Sequence, residues 1–113
     1  MRIRTFIQYF LLFLLAPSLA FGLTLQITWN ANSETDLAGY KVYIGSTAPG
    51  IYGTPRDVGN ATICNITGIK DMTTYYVVVT AYDAAGNESG FSTEVFTVVP
   101  DMTSPSAPGI KLN

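Results

Sequence analysis

The sequence contains no histidine, a single cysteine and few charged residues. Of its 113 residues 12% are charged, with six Lys or Arg and eight Asp or Glu. The absence of histidine removes the commonest acid–base catalyst and the commonest metal ligand. One cysteine excludes both an internal disulfide and a zinc site built from several cysteines. The net charge of −2 argues against a nucleic-acid binder, which needs a cationic surface.

Catalysis is not expected from this composition. Without histidine, an active site would need paired carboxylates or a Ser–Lys pair, because a reaction needs a poised acid or base or an activated nucleophile. Lys41, Lys70 and Lys111 have no neighbouring serine motif. We therefore expect no enzyme activity, no catalytic residue, no cofactor and no metal. Because 48% of the residues are hydrophobic, the chain is expected to fold rather than remain disordered.

Residues 1–22 have the three-part layout of a secretory signal peptide. Arg2 and Arg4 precede an apolar run at 7–16, Pro17 breaks that run, and small residues follow. The apolar run is about half the ~20 residues that a membrane-spanning helix needs. We expect export to the cell surface, periplasm or medium, with cleavage after Ala20 or after Gly22 and no stable membrane insertion afterwards. The alternative is an uncleaved anchor that runs through Pro17, which would make the chain a membrane-anchored structural protein.

From residue 23 onward the sequence alternates between apolar and polar residues and shows no sustained helical period. Alternation enriched in Val, Ile, Thr and Tyr predicts strands; it occurs at residues 25–29, 40–44, 63–67 and 75–82, and residues 95–99 form a last β-rich run. Segments rich in Gly, Pro, Asn, Asp or Thr separate these runs, at 30–39, 45–59, 68–74 and 83–90. Several short strands without helices predict an all-β fold, an antiparallel sandwich.

Two stretches carry a family resemblance. One is Trp29 followed by the strand at 39–43, and the other runs from Ile66 to Asp83. Together they resemble a fibronectin type III domain of the kind found in exported bacterial proteins. The resemblance covers residues 23–100 and implies an immunoglobulin-like β-sandwich.

The resemblance also assigns roles to individual residues. The family's Leu-x-Pro-Gly-Thr-x-Tyr stretch corresponds to residues 69–75, where Thr73 and Tyr75 match and Asp71 and Met72 replace Pro-Gly. Tyr75 is similar to the family's corner tyrosine, whose ring is buried and whose hydroxyl bonds a backbone carbonyl.

The alternation itself predicts which residues form the core. Trp29 shares a face with Leu25 and Ile27, so we expect it to fill the space between the sheets rather than to stack on a ligand. Cys64 shares the inward face with Ile66, where it is expected to act as a small apolar residue.

Four oxygen-bearing side chains lie in two loops that the resemblance brings to one end of the sandwich. They are Asp36, Asp83, Asn87 and Glu88. Calcium prefers six to eight oxygen ligands, so a calcium site is one interpretation. The other is turn chemistry, since Asp and Asn stabilise turns through their own backbone. No dense carboxylate motif is present, and we favour the turn.

The outward residues of the strands at 40–44 and 75–82 form a candidate binding patch. Tyrosine offers a large contact area at low rotamer entropy, although Tyr and Thr also simply suit a half-exposed sheet. The predicted patch consists of Lys41, Tyr43, Tyr76, Val78 and Tyr82, with Thr80 on the same face.

The first strand of the sandwich is expected to be short or missing. Residues 23–29 already form the tryptophan strand, and the predicted cleavage sites lie just before it. Residues 101–113 form a Pro- and Ser-rich linker or tail, in which Ile110 and Leu112 alternate. An open edge at 23–29 can accept a strand from this tail or from another copy.

The sequence therefore favours an exported, non-catalytic binding or spacer module. Its expected partner is a protein or a cell-surface component, which includes a polysaccharide, and not a nucleic acid. The first alternative is a carbohydrate-binding accessory module that uses Tyr43, Tyr76 and Tyr82.

Overall fold

A computed structural model of the chain describes residues 14–18 and 22–112. These residues form seven strands and no helix, which confirms the predicted all-β fold. The strands are β1 (Leu14–Ser18), β2 (Gly22–Thr28), β3 (Leu37–Gly45), β4 (Arg56–Gly59), β5 (Ile63–Ile69), β6 (Thr73–Asp83) and β7 (Val95–Val99). Except for residues 14–18 and 22, the predicted signal peptide lies outside the described residues.

The strands form two antiparallel sheets, with the orders β1-β2-β5 and β4-β3-β6-β7. Strand β4 is the one strand of the larger sheet that the sequence analysis left inside a loop, because its four residues are too few to show alternation. The first strand, which was predicted to be short or missing, is β1. It has five residues and lies inside the segment predicted to be the leader.

The core lies between the sheets and consists of the predicted inward residues. Leu25 and Ile27 are fully buried and Trp29 is 4% exposed, which confirms the face assigned to β2. The Trp29 ring meets the Tyr40 ring edge to face, with centroids 5.5 Å apart, a preferred arrangement for aromatic pairs. The Tyr40 hydroxyl accepts a hydrogen bond of 2.7 Å from the Asn32 backbone N–H. This contact ties the loop after β2 to the centre of the core.

Cys64 and Tyr75 occupy the positions that the sequence predicts. Cys64 is 5% exposed and its thiol is free, and burial raises the pKa of the thiol. Tyr75 packs against the core as a partly buried residue. Its hydroxyl accepts a 3.0 Å hydrogen bond from the Lys70 backbone N–H, so its partner is an amide and not the expected carbonyl. Met72, at the family's glycine position, has a left-handed φ of 54°.

The Tyr75 hydroxyl is expected to stabilise the turn between β5 and β6. Tyr75→Phe leaves the Lys70 amide without its acceptor, so the free energy of unfolding should fall by about 1 kcal/mol. Chemical denaturation followed by the fluorescence of Trp29 measures this change. Tyr76→Phe is the matched control, since the Tyr76 hydroxyl makes no hydrogen bond among the described residues. Equal stability of the two variants would contradict this role.

Candidate functional site

The outer face of the four-stranded sheet carries an exposed group of aromatic and apolar side chains. Phe91, Phe96 and Val98 are 52%, 63% and 60% exposed, and large exposed apolar patches mark interaction sites. We call this surface the aromatic platform. It consists of Tyr43, Tyr52, Tyr76, Phe91, Phe96 and Val98.

Three rings from three different segments form one half of the platform. Phe91 lies 5.0 Å from Tyr43 and 5.5 Å from Tyr52, measured between ring centroids, and Tyr43 lies 6.4 Å from Tyr52. All three contacts are edge to face, as the charge distribution of aromatic rings favours. The result is a ridged surface and not a flat one.

The other half of the platform is built on paired strands. Tyr76 of β6 pairs in register with Phe96 of β7, and the two ring centroids are 6.3 Å apart. Side chains alternate along a strand, so Val98 shares the outward face with Phe96, while Val99 points inward and is fully buried.

Two serines explain why Phe91 lies on this face. Strand β7 pairs with β6 only as far as Val77. Beyond Val77, side chains of the segment before β7 bond backbone amides on that side of β6. The Ser92 and Ser89 hydroxyls accept hydrogen bonds of 2.9 Å from the Val79 and Ala81 backbone amides. Both serines are buried. The chain between them turns outward and places Phe91 on the surface.

A close backbone contact positions Tyr52. Gly45, at the end of β3, lies so near the Ile51 carbonyl that a Cβ there would come within 1.9 Å of the carbonyl oxygen. The Gly53 N–H then donates to the Ile44 carbonyl at 3.1 Å. Only glycine allows this approach, which folds the loop after β3 back over the sheet.

Glu88 collects three hydrogen bonds at one end of the platform. Its carboxylate accepts from Tyr43 Oη at 2.5 Å, from Thr80 Oγ1 at 2.9 Å and from Lys41 Nζ at 3.3 Å. Burial alone raises the pKa of Glu88, but these three donors hold it below its ordinary value. The Lys41–Glu88 ion pair is partly exposed and contributes little by itself, and the Tyr43 hydroxyl bonds the other oxygen of the same carboxylate.

Glu94 holds Tyr52 in the same way. Its carboxylate accepts hydrogen bonds from the Tyr52 hydroxyl and, at 2.8 Å, from the Gly50 backbone N–H. Burial, the hydrogen bond to Glu94 and the negative charge of Glu94 raise the pKa of Tyr52 to about 12. The Tyr52 hydroxyl therefore stays protonated, and the ring keeps its position, well above neutral pH.

Tyr82 lies beyond the Glu88 end of the platform. Its hydroxyl donates to Asp57 Oδ1 at 2.8 Å, and Lys41 Nζ lies 5.6 Å from the centre of its ring. The hydrogen bond to Asp57 raises the pKa of Tyr82, and hydrogen bonds from the Gly59 amide and from Tyr82 lower the pKa of Asp57. A Cβ at Gly39 would come within 2.5 Å of the Tyr82 hydroxyl, so Gly39 gives this ring its space.

The structure changes the predicted patch in part. Tyr43 and Tyr76 belong to the platform, whereas Lys41 and Tyr82 are engaged with Glu88 and Asp57. Val78 is a correction, because its side chain is 1% exposed and cannot contact a partner. It does point to the outer face, in register with Tyr43. The loops that carry Tyr52 and Phe91 fold over that face, which explains why Val78 is buried.

Tyr52, Phe91 and Phe96 were not among the residues predicted to form a binding patch. The position of Phe96 was open to prediction, because the period of two along a strand places it on the face opposite to that of the inward Val99. Tyr52 and Phe91 lie outside the strands, where periodicity gives no direction. Their position depends on the Gly45 contact and on the two serines.

The loop at 83–90 uses its oxygen atoms for its own turn. Asp83 accepts hydrogen bonds from the Ala85 and Asn87 amides at 3.0 and 2.8 Å, and from the Asn87 side chain at 2.9 Å. These hydrogen bonds lower the pKa of Asp83, and the one from the Asn87 side chain has the largest effect. Glu88 is directed to Lys41 and Tyr43 instead. The geometry supports the turn interpretation, and the described residues contain no cluster of three or more metal-ligating side chains.

Within residues 14–18 and 22–112, no helix is long and apolar enough to cross a bilayer.

The chain is similar to short parts of larger proteins. It is 35% identical over 96 residues to Chitinase D of Niallia circulans, an alignment that covers 84% of this chain and 17% of the chitinase. It is 36% identical over 91 residues to Exoglucanase B of Cellulomonas fimi, covering 74% of this chain and 8% of the exoglucanase. The chain thus spans less than a fifth of the length of these relatives. No family model matches the chain.

Solved structures with the same fold cover most of the chain. The sixth fibronectin type III domain of a human protein that contains several such domains superposes with a TM-score of 0.59 at 23% identity, covering 96% of this chain and 94% of that domain. An Fn3-like protein from Clostridium thermocellum gives a TM-score of 0.58 at 23% identity, covering 86% of this chain and 99% of that one.

The raised pKa of Tyr52 predicts a loss of stability at alkaline pH. Unfolded tyrosine has a pKa of 10.0 and folded Tyr52 one of about 12, so between these values the unfolded chain binds fewer protons than the folded one. The stabilisation is complete below pH 10 and is lost as the pH rises toward 12. Urea unfolding at pH 8, 10 and 11 measures the free energy of unfolding. This free energy should decline less steeply with rising pH in Tyr52→Phe than in the original chain. An alkaline slope unchanged by this substitution would contradict the Tyr52–Glu94 contact.

Proposed function

Given that the chain has the fibronectin type III fold, we propose that it is an exported, non-catalytic interaction module that binds a protein partner through the aromatic platform. The observation that carries the proposal is the exposure of Phe91, Phe96 and Val98 on one sheet face. Removing such apolar area from water contributes about 25 cal/mol per Å². The platform therefore supplies the main driving force for association.

The carboxylate contacts make the platform a prepared surface. The Tyr43 and Tyr52 hydroxyls already donate hydrogen bonds to Glu88 and Glu94. Their rings lose little freedom when a partner docks, and a preorganised surface binds more tightly because less ordering is needed on association.

The ring geometry favours a protein over a polysaccharide. Stacking on sugar rings needs flat, accessible aromatic faces, whereas Tyr43, Tyr52 and Phe91 meet edge to face and form ridges. The Tyr43 and Tyr52 hydroxyl groups are also committed to carboxylates. Apolar side chains of a protein can fill the space between such ridges, as they do in the centres of protein interfaces.

A second candidate function is an accessory role in polysaccharide degradation. The observation that favours it is the similarity to parts of a chitinase and an exoglucanase. In this case the Tyr76–Phe96 half of the platform is the better candidate, because its two rings are tilted at 42° and not perpendicular.

Truncation of the two most exposed rings tests both functions. The double variant Phe91→Ala/Phe96→Ala should lower the affinity for a protein partner at least tenfold, a loss of about 1.4 kcal/mol, since aromatic anchors dominate interface energies. The variant Ile63→Ala/Met72→Ala is the matched control, because it removes two other exposed apolar side chains. Affinity for a partner isolated from the cell-surface protein fraction of the source organism is measured by biolayer interferometry.

The same variants are sedimented with insoluble chitin and cellulose. Binding to either polysaccharide that the Phe91→Ala/Phe96→Ala variant loses would replace the protein-binding proposal with the accessory role. A platform variant that binds the protein partner as tightly as the control variant would show that this surface is not the binding site. Folding of each variant is checked by circular dichroism.

A further inference from the structure

Strand β1 covers the edge of the smaller sheet. It pairs antiparallel with β2 over five residues, from Leu14 opposite Gln26 to Ser18 opposite Gly22. On its other side β2 pairs with β5, so β2 is central only as long as β1 is present. Pro17 is compatible with this place, because a strand at a sheet edge tolerates the missing N–H of proline.

Removal of the predicted leader would uncover this edge. Of the two expected cleavage sites, the one after Ala20 lies between β1 and β2, and the one after Gly22 follows the first residue of β2. Cleavage ends the covalent link that holds five residues of β1 beside β2, and with it the high effective concentration of an attached strand. The smaller sheet then keeps only β2 and β5, and β2 presents a row of unpaired N–H and C=O groups along its free edge. Leu25 and Ile27 of β2 are fully buried core residues. The strand that becomes the edge of the sheet therefore contributes side chains to the core.

The C-terminal tail has the features of a replacement strand. Residues 100–112 have no regular structure, and Ile110 and Leu112 are 89% and 96% exposed. These two residues alternate with Lys111, which is the pattern of a strand with one apolar face. The base of the tail is fixed, since the Thr103 hydroxyl donates to Asp71 at 2.7 Å and the Met102 amide donates to the same carboxylate at 3.3 Å.

The direction in which the tail leaves the sandwich determines whether it pairs better with β2 of its own chain or with β2 of a second copy. Val99 pairs with Thr73 at the start of β6, and Leu23 pairs with Ile69 at the end of β5, directly before that start. The tail therefore leaves from the end of the sandwich where β2 begins. If it folded back along its own β2, it would run parallel to that strand. A tail from a second copy can instead run antiparallel, as β1 does, and antiparallel pairing is the more stable per residue.

We propose that, after the leader is removed, residues 109–112 of one copy pair with the exposed edge of β2 in a second copy and take the place of β1. Ile110 and Leu112 then cover the same side of β2 as Leu25 and Ile27. Residues 104–108 link the fixed base at Thr103 to this strand and span about 3.3 Å per residue when extended, which reaches out of one sandwich to its neighbour. Addition of a strand to a free edge is an established mode of recognition.

The test uses the full chain, exported by a bacterial host so that the leader is processed naturally. Mass spectrometry identifies the N-terminus, and light scattering after gel filtration gives the mass at several concentrations. We expect the processed protein to have the mass of at least two chains. Ile110→Asp/Leu112→Asp should return it to one chain, because charged side chains cannot cover the core. Ser104→Asp/Ser106→Asp is the matched control, since it adds the same charge to the same tail outside the pairing segment, and it should leave the assembly intact.

Amide hydrogen exchange of residues 23–28 locates the contact. These amides should exchange slowly in the assembled protein and faster in Ile110→Asp/Leu112→Asp. An intact Met1 in the exported protein would overturn the proposal, because β1 then keeps the edge. A processed chain that is monomeric would overturn it as well, and so would an assembly that survives Ile110→Asp/Leu112→Asp. None of these measurements involves the aromatic platform, so their failure leaves the proposed function standing.

Discussion

The pairing of β6 is the constraint on which the rest of the larger sheet depends. Its eleven residues pass through the middle of the sheet, and its residues from Val77 to Ala81 are almost fully buried, so each of their backbone amides needs a partner. Strand β3 pairs with one side of β6, and strand β7 pairs with the other side only as far as Val77. Beyond that point the Ser92 and Ser89 hydroxyls accept hydrogen bonds from the Val79 and Ala81 amides. This requirement fixes an otherwise irregular segment beside β6.

The platform follows from that requirement. The fixed segment carries Phe91 between its two serines, and it carries Glu88 and Glu94 at its ends. These carboxylates reach Tyr43 on β3 and Tyr52 in the loop after it. A hydrogen-bonding need inside the sheet thus determines the position of two tyrosines and one phenylalanine outside it. The Tyr43 and Tyr52 hydroxyls are held by carboxylates that belong to the scaffold, which is where a precise binding surface is best built.

Sequence reasoning predicted the parts of the molecule that alternation governs. Leu25, Ile27 and Trp29 lie inward as the period of two requires, and Tyr75 occupies the corner that the family resemblance assigned to it. Val78 shows the limit of this reasoning. Alternation assigned it correctly to the outer face, but whether an outer face meets water depends on loops, and loops have no period. Tyr52 and Phe91 were missed for the same reason, since a glycine contact and two serine hydroxyls between residues distant in sequence set their positions.

The segment at 14–18 was open to two interpretations because one sequence satisfies two physical requirements. An apolar run that ends in proline and small residues is typical of a leader, and the same residues can pair as the edge strand of a sheet. The platform lies on the four-stranded sheet and the β2 edge on the other. An assembly formed through β2 would therefore leave each platform open. Several platforms on one assembly would bind a surface with repeated sites more tightly than one platform does, because each further contact forms at a high effective concentration. A weak single contact at the platform would then be sufficient for stable attachment.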